Sequence, residues 1–286
     1  MSTSIAAASG TFKLGGDLEV NRLGYGTMQL TGDGVWGEPD DRDEAIAVLR
    51  RAVDAGVNFI DTADAYGPEV AERLIYEALH PYPDDLVIAT KVGFTRAGPS
   101  DWRAVGRPEY LRQQTEMCLR RMGLETIDLM QLHRIDAKVP LEEQVGELAN
   151  LQQEGKIRHV GLSEVDVSQL EDAQKTAKIV SVQNLFNLTN RDAEPLLDHC
   201  TANNIGFIPW FPLATGKLVE QDGPLSQIAA DTGAEPSQLA LAWLLKRSPV
   251  MLPIPGTSSV AHLEQNLGAA ELNLTDDQFE ALNGVA

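Results

Sequence analysis

Basic residues are scarce in this 286-residue chain: 23 Lys and Arg stand against 42 Asp and Glu, a formal charge of -19. A surface of that sign repels phosphate backbones and anionic lipid heads, which argues against nucleic acid and membrane partners. It also opposes an anionic ligand, so a phosphate-bearing cofactor needs a local pocket of helix N-termini and a few cations. Cysteine is nearly absent. Cys118 and Cys200 lie singly within helical patterns, without the short paired spacing of a zinc or redox site, and read as packing residues. The histidines His80, His133, His159, His199 and His262 are scattered one by one, so no metal site is expected. No apolar run approaches membrane-spanning length, and the first ten residues lack the basic end and apolar segment of a secretory signal, so a cytoplasmic protein is expected. No interior stretch rich in Pro, Gly or Ser divides the chain, and residues 1–286 read as one domain.

What is present is a regular alternation. Apolar residues make up 43% and charged residues 23%, enough for an ample core. Short β-branched or apolar runs at 23–27, 58–61, 86–91, 127–132, 159–162, 179–183, 206–209 and 251–254 read as strands. Amphipathic stretches separate them, as at 43–55, where Ala45, Ile46, Leu49, Ala52 and Val53 share one face and Gly56 closes the helix. Further helices are expected at 70–79, 108–122, 141–153, 168–177, 193–203, 225–231 and 236–246, with another starting near Ser259. Eight parallel strands, each followed by a helix, can close as an α/β fold of the (β/α)8 barrel type. Residues 11–20, with Gly15-Gly16 in their middle, read as an N-terminal β-hairpin that plugs one end.

In such a barrel the loops after the strands build the active site, so polar residues at strand C-termini become candidates. Asp61 ends the second strand, Lys91 the third and His133 the fourth, while Tyr66 follows Asp61 in the same loop. Each has a plain structural reading: Asp61 as a helix cap, Lys91 as a solvated loop charge, His133 as the partner of a buried carbonyl. Together they bring a carboxylate, an ammonium, an imidazole and a phenol to one rim. A tyrosine near pKa ~10 is a poor acid at neutral pH unless something favours its phenolate, and a nearby ammonium does so. Lys91 supplies that cation, Asp61 holds it, and His133 can hydrogen-bond a substrate oxygen or the phenol. Asp64 reads as structural. A second feature is Gly256-Thr257-Ser258-Ser259, small and hydroxyl residues ahead of a helix, which suit a phosphate through free N-H groups and the helix dipole.

These motifs, from Gly24-Tyr25-Gly26-Thr27-Met28 through Asp61-Thr62-Ala63-Asp64-Ala65-Tyr66-Gly67 to the final helices, resemble the aldo-keto reductase family over nearly the whole chain. Within it the likeness runs to bacterial pyridoxal-reducing members, through Asn21-Arg22-Leu23-Gly24-Tyr25-Gly26 and the stretch from Ile254 to Leu263. The resemblance implies hydride transfer between a nicotinamide cofactor and a carbonyl, with Tyr66 as proton donor assisted by Lys91, Asp61 and His133. It places Thr27 and Met28 at the cofactor, and Ser163 and Gln183 at the nicotinamide carboxamide. Glu164 departs from the family, which has Asn there. Trp210 takes the nicotinamide-stacking position, usually a tyrosine, and Leu213, Gly216 and Lys217 follow in the segment that wraps the pyrophosphate. Gly256, Thr257 and Ser258 fall at the ribose phosphate, His262 at a position where relatives that prefer NADP carry a cation, and Gln265 and Asn266 at the adenine end. NADP(H) is the expected cofactor, with NAD(H) as the other possibility. Trp36 and Trp102 are candidates to wall a small carbonyl or alcohol substrate, pyridoxal being the named one. An open pocket with broad specificity is expected, because the chain ends soon after its last helix begins. A Rossmann dehydrogenase is disfavoured, since Gln29 stands where that fingerprint needs a third glycine. The other reading that the resemblance leaves open is a cofactor-sensing subunit of a larger assembly.

Overall fold

The computed structural model describes residues 4–213 and 224–284. A hairpin comes first, β1 (Thr11–Leu14) and β2 (Leu18–Asn21). Gly15 and Gly16 turn it with φ of 66° and 98°, values that side-chain-bearing residues rarely adopt. The alternation then runs β3 (Tyr25–Gly26), α1 (Arg42–Asp54), β4 (Phe59–Asp61), α2 (Val70–Leu79) and β5 (Val87–Val92). A short antiparallel pair, β6 (Phe94–Thr95) and β7 (Arg103–Ala104), interrupts it before α3 (Pro108–Met122). It resumes with β8 (Ile127–Leu132), α4 (Leu141–Gln153), β9 (Ile157–Ser163), α5 (Val167–Gln174), β10 (Ile179–Leu185), α6 (Glu194–Asn203) and β11 (Gly206–Trp210). Four helices follow: α7 (Pro224–Thr232), α8 (Pro236–Arg247), α9 (Val260–Leu267) and α10 (Asp276–Asn283).

Local chemistry explains the helices. In α1, Ala45, Val48, Leu49 and Ala52 recur at helical spacing and are buried, and the Asp41 side chain accepts from Glu44 N at 2.9 Å to cap the first turn. In α5, Asp166 and Gln169 form a reciprocal capping box.

The sheet is parallel in the order β11-β10-β9-β8-β5-β4-β3. Its two edges are joined by the segment expected as the eighth strand, through bridges Phe207–Met251 and Gly26–Gly256 and the bonds Leu252 N to Phe207 O (2.8 Å) and Gly24 N to Pro253 O (2.9 Å). This segment closes the (β/α)8 cylinder without forming a regular strand, because Pro253 and Pro255 lack the N-H that a ladder needs. The first barrel strand is shortened to β3 for lack of a continuous partner on that side.

The hairpin covers one end of the barrel. Leu14 and Phe12 approach Gly206 at the start of β11, Lys178 Nζ donates to Gly15 O (2.9 Å), and Arg158 and His159 at the start of β9 meet Asp17. All these partners lie at strand N-termini, so the C-terminal end is the one left for chemistry. A buried apolar cluster runs from Ala6 to Leu282 between the sheet and its helices. Among the described residues no helix is long and apolar enough to cross a membrane.

Candidate active site

Strand alternation builds the site in layers. Asp61 pairs in register with Ala89, and Lys91 with Gln131, so Asp61 and Lys91 face the barrel interior two residues apart along neighbouring strands. Gln131 and His133 share the inner face of β8 and its extension, and Ser163 stands level with Gln183 on β9 and β10. Gly161 makes room beneath them, since a Cβ there would reach 3.0 Å from Gln131 Cγ and collide with Ser181 Oγ.

Lys91 is fully buried and spends its three donors on Asp61 Oδ2 (2.5 Å), Thr62 O (2.8 Å) and Tyr66 Oη (3.2 Å). The other oxygen of Asp61 accepts from Gln183 Nε2 (2.8 Å) and Gln131 Nε2 (3.0 Å). Burial works against the Lys91 charge, but the Asp61 carboxylate and the surrounding hydrogen bonds outweigh it and hold the ammonium above the usual lysine range. For Tyr66 the balance is the reverse of the sequence expectation. Lys91 pulls the phenol down, yet burial and the Asp61 charge win and its pKa lies above the ordinary tyrosine value. Burial, then the charges of Lys91, Arg134 and Arg96, push His133 well below the usual imidazole range and keep it neutral. Its Nδ1 is buried without a hydrogen-bond partner among the described residues.

Asp61, Tyr66, His133 and Gln183 floor a cavity of about 730 Å³, lined mostly by apolar side chains, with Lys91 buried beneath it. Phe94, Trp102, Tyr66 and His133 make its aromatic wall, with ring centroids 4.6 Å apart for Phe94–His133 and 5.4 Å for Phe94–Trp102. Trp102, a candidate to wall a substrate, thus lines this cavity. Trp36 does not line the cavity: Val35, turned by a φ of 56°, does so instead, and Trp36 faces Arg96 from 5.7 Å.

Of the cofactor-side residues, Met28, Ser163, Gln183, Trp210, Leu213 and Gly256 line the same cavity. Thr27 is buried below them, with its N-H and Oγ1 both donating to Asp61 O. Gln183 is also tied down, as its amide nitrogen serves Asp61. Glu164 Oε1 accepts from Leu185 N (2.7 Å) and Trp210 Nε1 (2.5 Å), so the departure at this position braces the indole. Thr257 is buried, Ser258 and His262 are exposed, Gln265 is half-buried and Asn266 is buried on α9. Gly216 and Lys217 lie outside the described residues.

A model of the aldo/keto reductase family matches residues 22–286. The chain belongs to that family. An uncharacterized oxidoreductase of Schizosaccharomyces pombe is 52% identical over 97% of this aldo-keto reductase and 90% of its own length. Pyridoxine 4-dehydrogenase of Escherichia coli is 45% identical over 98% of this chain and 99% of its own. The crystal structure of an aldo-keto reductase from Klebsiella pneumoniae in complex with NADPH superposes with a TM-score of 0.82 at 29% identity, covering 96% of this chain and 94% of that one.

The aldo-keto reductase site also contains side chains that motif reading passed over. Gln131 sits two residues before His133, and the same alternation that brings the histidine to the rim puts the amide one layer below it, on Asp61. Arg96 donates to five backbone carbonyls, those of Gly34, Val35, Ala65, Gly98 and Asp101, and stacks 3.6 Å from the Trp102 centroid. It binds three loops together, a role that only their proximity in space reveals. Arg134, next to His133, lines the cavity as well.

Proposed function

We propose that this aldo-keto reductase transfers a hydride between NADP(H) and an aldehyde or ketone, or the corresponding alcohol, with Tyr66 as the proton donor in reduction. One observation carries the reading: a buried ammonium, anchored by Asp61 and Thr62 O, directs its remaining donor at the Tyr66 hydroxyl on the floor of an open apolar cavity. The phenol stays protonated through neutral pH and releases its proton only as negative charge develops on a carbonyl oxygen beside it. Lys91 stabilises the phenolate left behind, and Asp61 keeps Lys91 charged and oriented. Neutral His133 offers a hydrogen bond to the same carbonyl oxygen.

NADPH, when bound, supplies the hydride. Ser163 and Gln183 are the groups for its carboxamide, Trp210 for its nicotinamide face, and Gly256, Thr257, Ser258 and the start of α9 for its ribose phosphate. At Gly256 a Cβ would lie 2.9 Å from Gly26 O and 3.3 Å from Gln29 Cγ, so glycine there lets this cavity-lining segment pack directly on the first barrel strand. Trp210 fits a nicotinamide ring, since Glu164 holds its ring edge and leaves a face for stacking. Against a strong NADP preference stands Glu44, whose carboxylate accepts from Val260 N (3.0 Å) in the first turn of α9 and opposes an anion there. The choice of NADP(H) draws on the NADPH complex of the Klebsiella relative; equal catalytic efficiency with NAD(H) overturns it.

Pyridoxal is the proposed substrate, on the strength of the 45% identity to pyridoxine 4-dehydrogenase and of an aromatic wall suited to a flat ring. A single domain and a cytoplasmic setting complete the reading. The test is NADPH consumption against pyridoxal and a panel of aldehydes, ketones and alcohols, run beside Tyr66→Phe. The variant is expected to lose roughly 10²-fold or more in kcat while still binding NADPH; undiminished turnover removes Tyr66 from the mechanism.

A further inference from the structure

The reaction proposed above makes no use of Arg134, the one arginine that follows a floor residue directly into the cavity. Its Nη1 donates to His133 O (2.6 Å) and Ser163 Oγ (2.9 Å), and its guanidinium stands 5.6 Å from the Phe94 ring centroid. Among the described residues, nothing accepts from its Nε or Nη2 and no carboxylate pairs with it. Arg42, Arg51, Arg112 and Arg158 find carboxylates, and Arg22 and Arg96, which do not, spend Nε and Nη2 on backbone carbonyls. Glu164 acts on Arg134 through space, but its Oε1 is committed to Leu185 N and Trp210 Nε1. The free Nε and Nη2 form one edge of the guanidinium, the two-pronged fork that matches a pair of oxygens on an anion. A half-buried cation with that edge free, inside a largely apolar cavity, favours an anionic group far more than water would.

The position of the fork says which group. Nη1 is tied to the backbone of His133, whose ring faces Tyr66 from 5.9 Å, so a carbonyl oxygen received between those two rings brings the neighbouring substituent of the substrate toward Arg134. The wall of Phe94 and Trp102 accepts a planar ring. We propose that Arg134 is a substrate-recognition residue selecting aromatic aldehydes that carry an oxyanion group, such as a phenolate or a sulfonate, on the ring carbon next to the aldehyde. This rests on the reductase reading and narrows its substrate class; the ring hydroxyl of pyridoxal, beside its aldehyde, has this arrangement.

The experiment compares 2-formylbenzenesulfonate, 4-formylbenzenesulfonate and benzaldehyde as oxidants of NADPH, in the wild type, Arg134→Gln and Arg134→Lys. NADPH affinity is read separately from tryptophan fluorescence, because Arg134 also touches Ser163. In the wild type the 2-sulfonate is expected to exceed both other aldehydes by about tenfold or more in kcat/KM, as a charge-assisted fork allows. Arg134→Gln should shrink that advantage to about threefold or less, mainly through KM, and Arg134→Lys should restore part of it. Equal wild-type efficiency for the three aldehydes overturns the proposal and leaves the reductase reading intact. So does a loss in Arg134→Gln that is proportionate for all three, the mark of a purely structural arginine. A wild type that reduces neither these aldehydes nor pyridoxal overturns this proposal and the pyridoxal assignment together, and one that also turns over no ketone or alcohol ends the reductase reading.

Discussion

At the scale of single residues, two titrating groups give opposite pH signatures. The elevated Tyr66 pKa leaves the phenol protonated past the ordinary tyrosine range, so carbonyl reduction should keep its donor through neutral and mildly alkaline pH. Alcohol oxidation needs the phenolate and should rise with pH over the same interval. Profiles of kcat in both directions check this; a reduction rate that declines with a midpoint near neutrality counts against Tyr66 as donor. Asp64 is different. It is buried beside Glu72 and Arg121, and burial together with the Glu72 charge raises its pKa well above the normal aspartate value. Its protonation favours the folded state below the unfolded-state pKa, and that contribution is lost as pH rises through the higher folded-state value. Asp64→Asn keeps the neutral form at every pH. Its melting temperature should match wild type in acid and exceed it increasingly as pH rises, with no such trend sinking the idea. Asp61, Lys91 and His133 stood out in the sequence because strand ends mark themselves by an abrupt polar residue, and Tyr66 because it follows Asp61 in the same loop. Gln131 was not, since a glutamine inside an apolar strand is silent until its neighbour across the barrel is known.

At the scale of elements, the loop after β5 shows where pattern reading stops. The β6–β7 pair has two residues per strand, too short for any periodicity, yet it supplies Phe94, and the loop joining its strands supplies Trp102, to the cavity wall. Arg96 fixes it by donating to carbonyls on three loops at once. Arg96→Met should free those loops and raise KM for aromatic aldehydes about tenfold, with a smaller effect on kcat, because positioning of the ring is lost before the proton donor is. Kinetics with benzaldehyde separate the two constants; a fall confined to kcat would place Arg96 elsewhere. The eighth strand illustrates the converse. Its apolar run was correctly located at 251–254, but proline removed the ladder bonds that define a strand.

At the scale of the molecule, closure of the barrel depends on few bonds between its first and last segments. Arg22 supplies three of them, from Nη2 to Leu245 O (2.6 Å) and Ser248 O (2.5 Å) and from Nε to Met251 O (3.3 Å). Arg22→Met should cost about 2–4 kcal/mol, as charged hydrogen bonds are lost and half-buried carbonyls are left without partners. Urea unfolding measures it, and a change within about 0.5 kcal/mol, typical of an uncoupled surface site, would show that closure does not need the arginine. The sequence by itself determined the alternation of strands and helices, the polar strand ends and the family motifs, because periodicity and residue type are local properties of the chain. Tertiary structure alone decided that Glu164 braces Trp210, that Arg96 gathers three loops and that Arg134 lines the cavity with no carboxylate partner among the described residues. Those facts depend on groups distant along the chain becoming neighbours in a medium of low dielectric, where a partner found or missed changes what a charge can do.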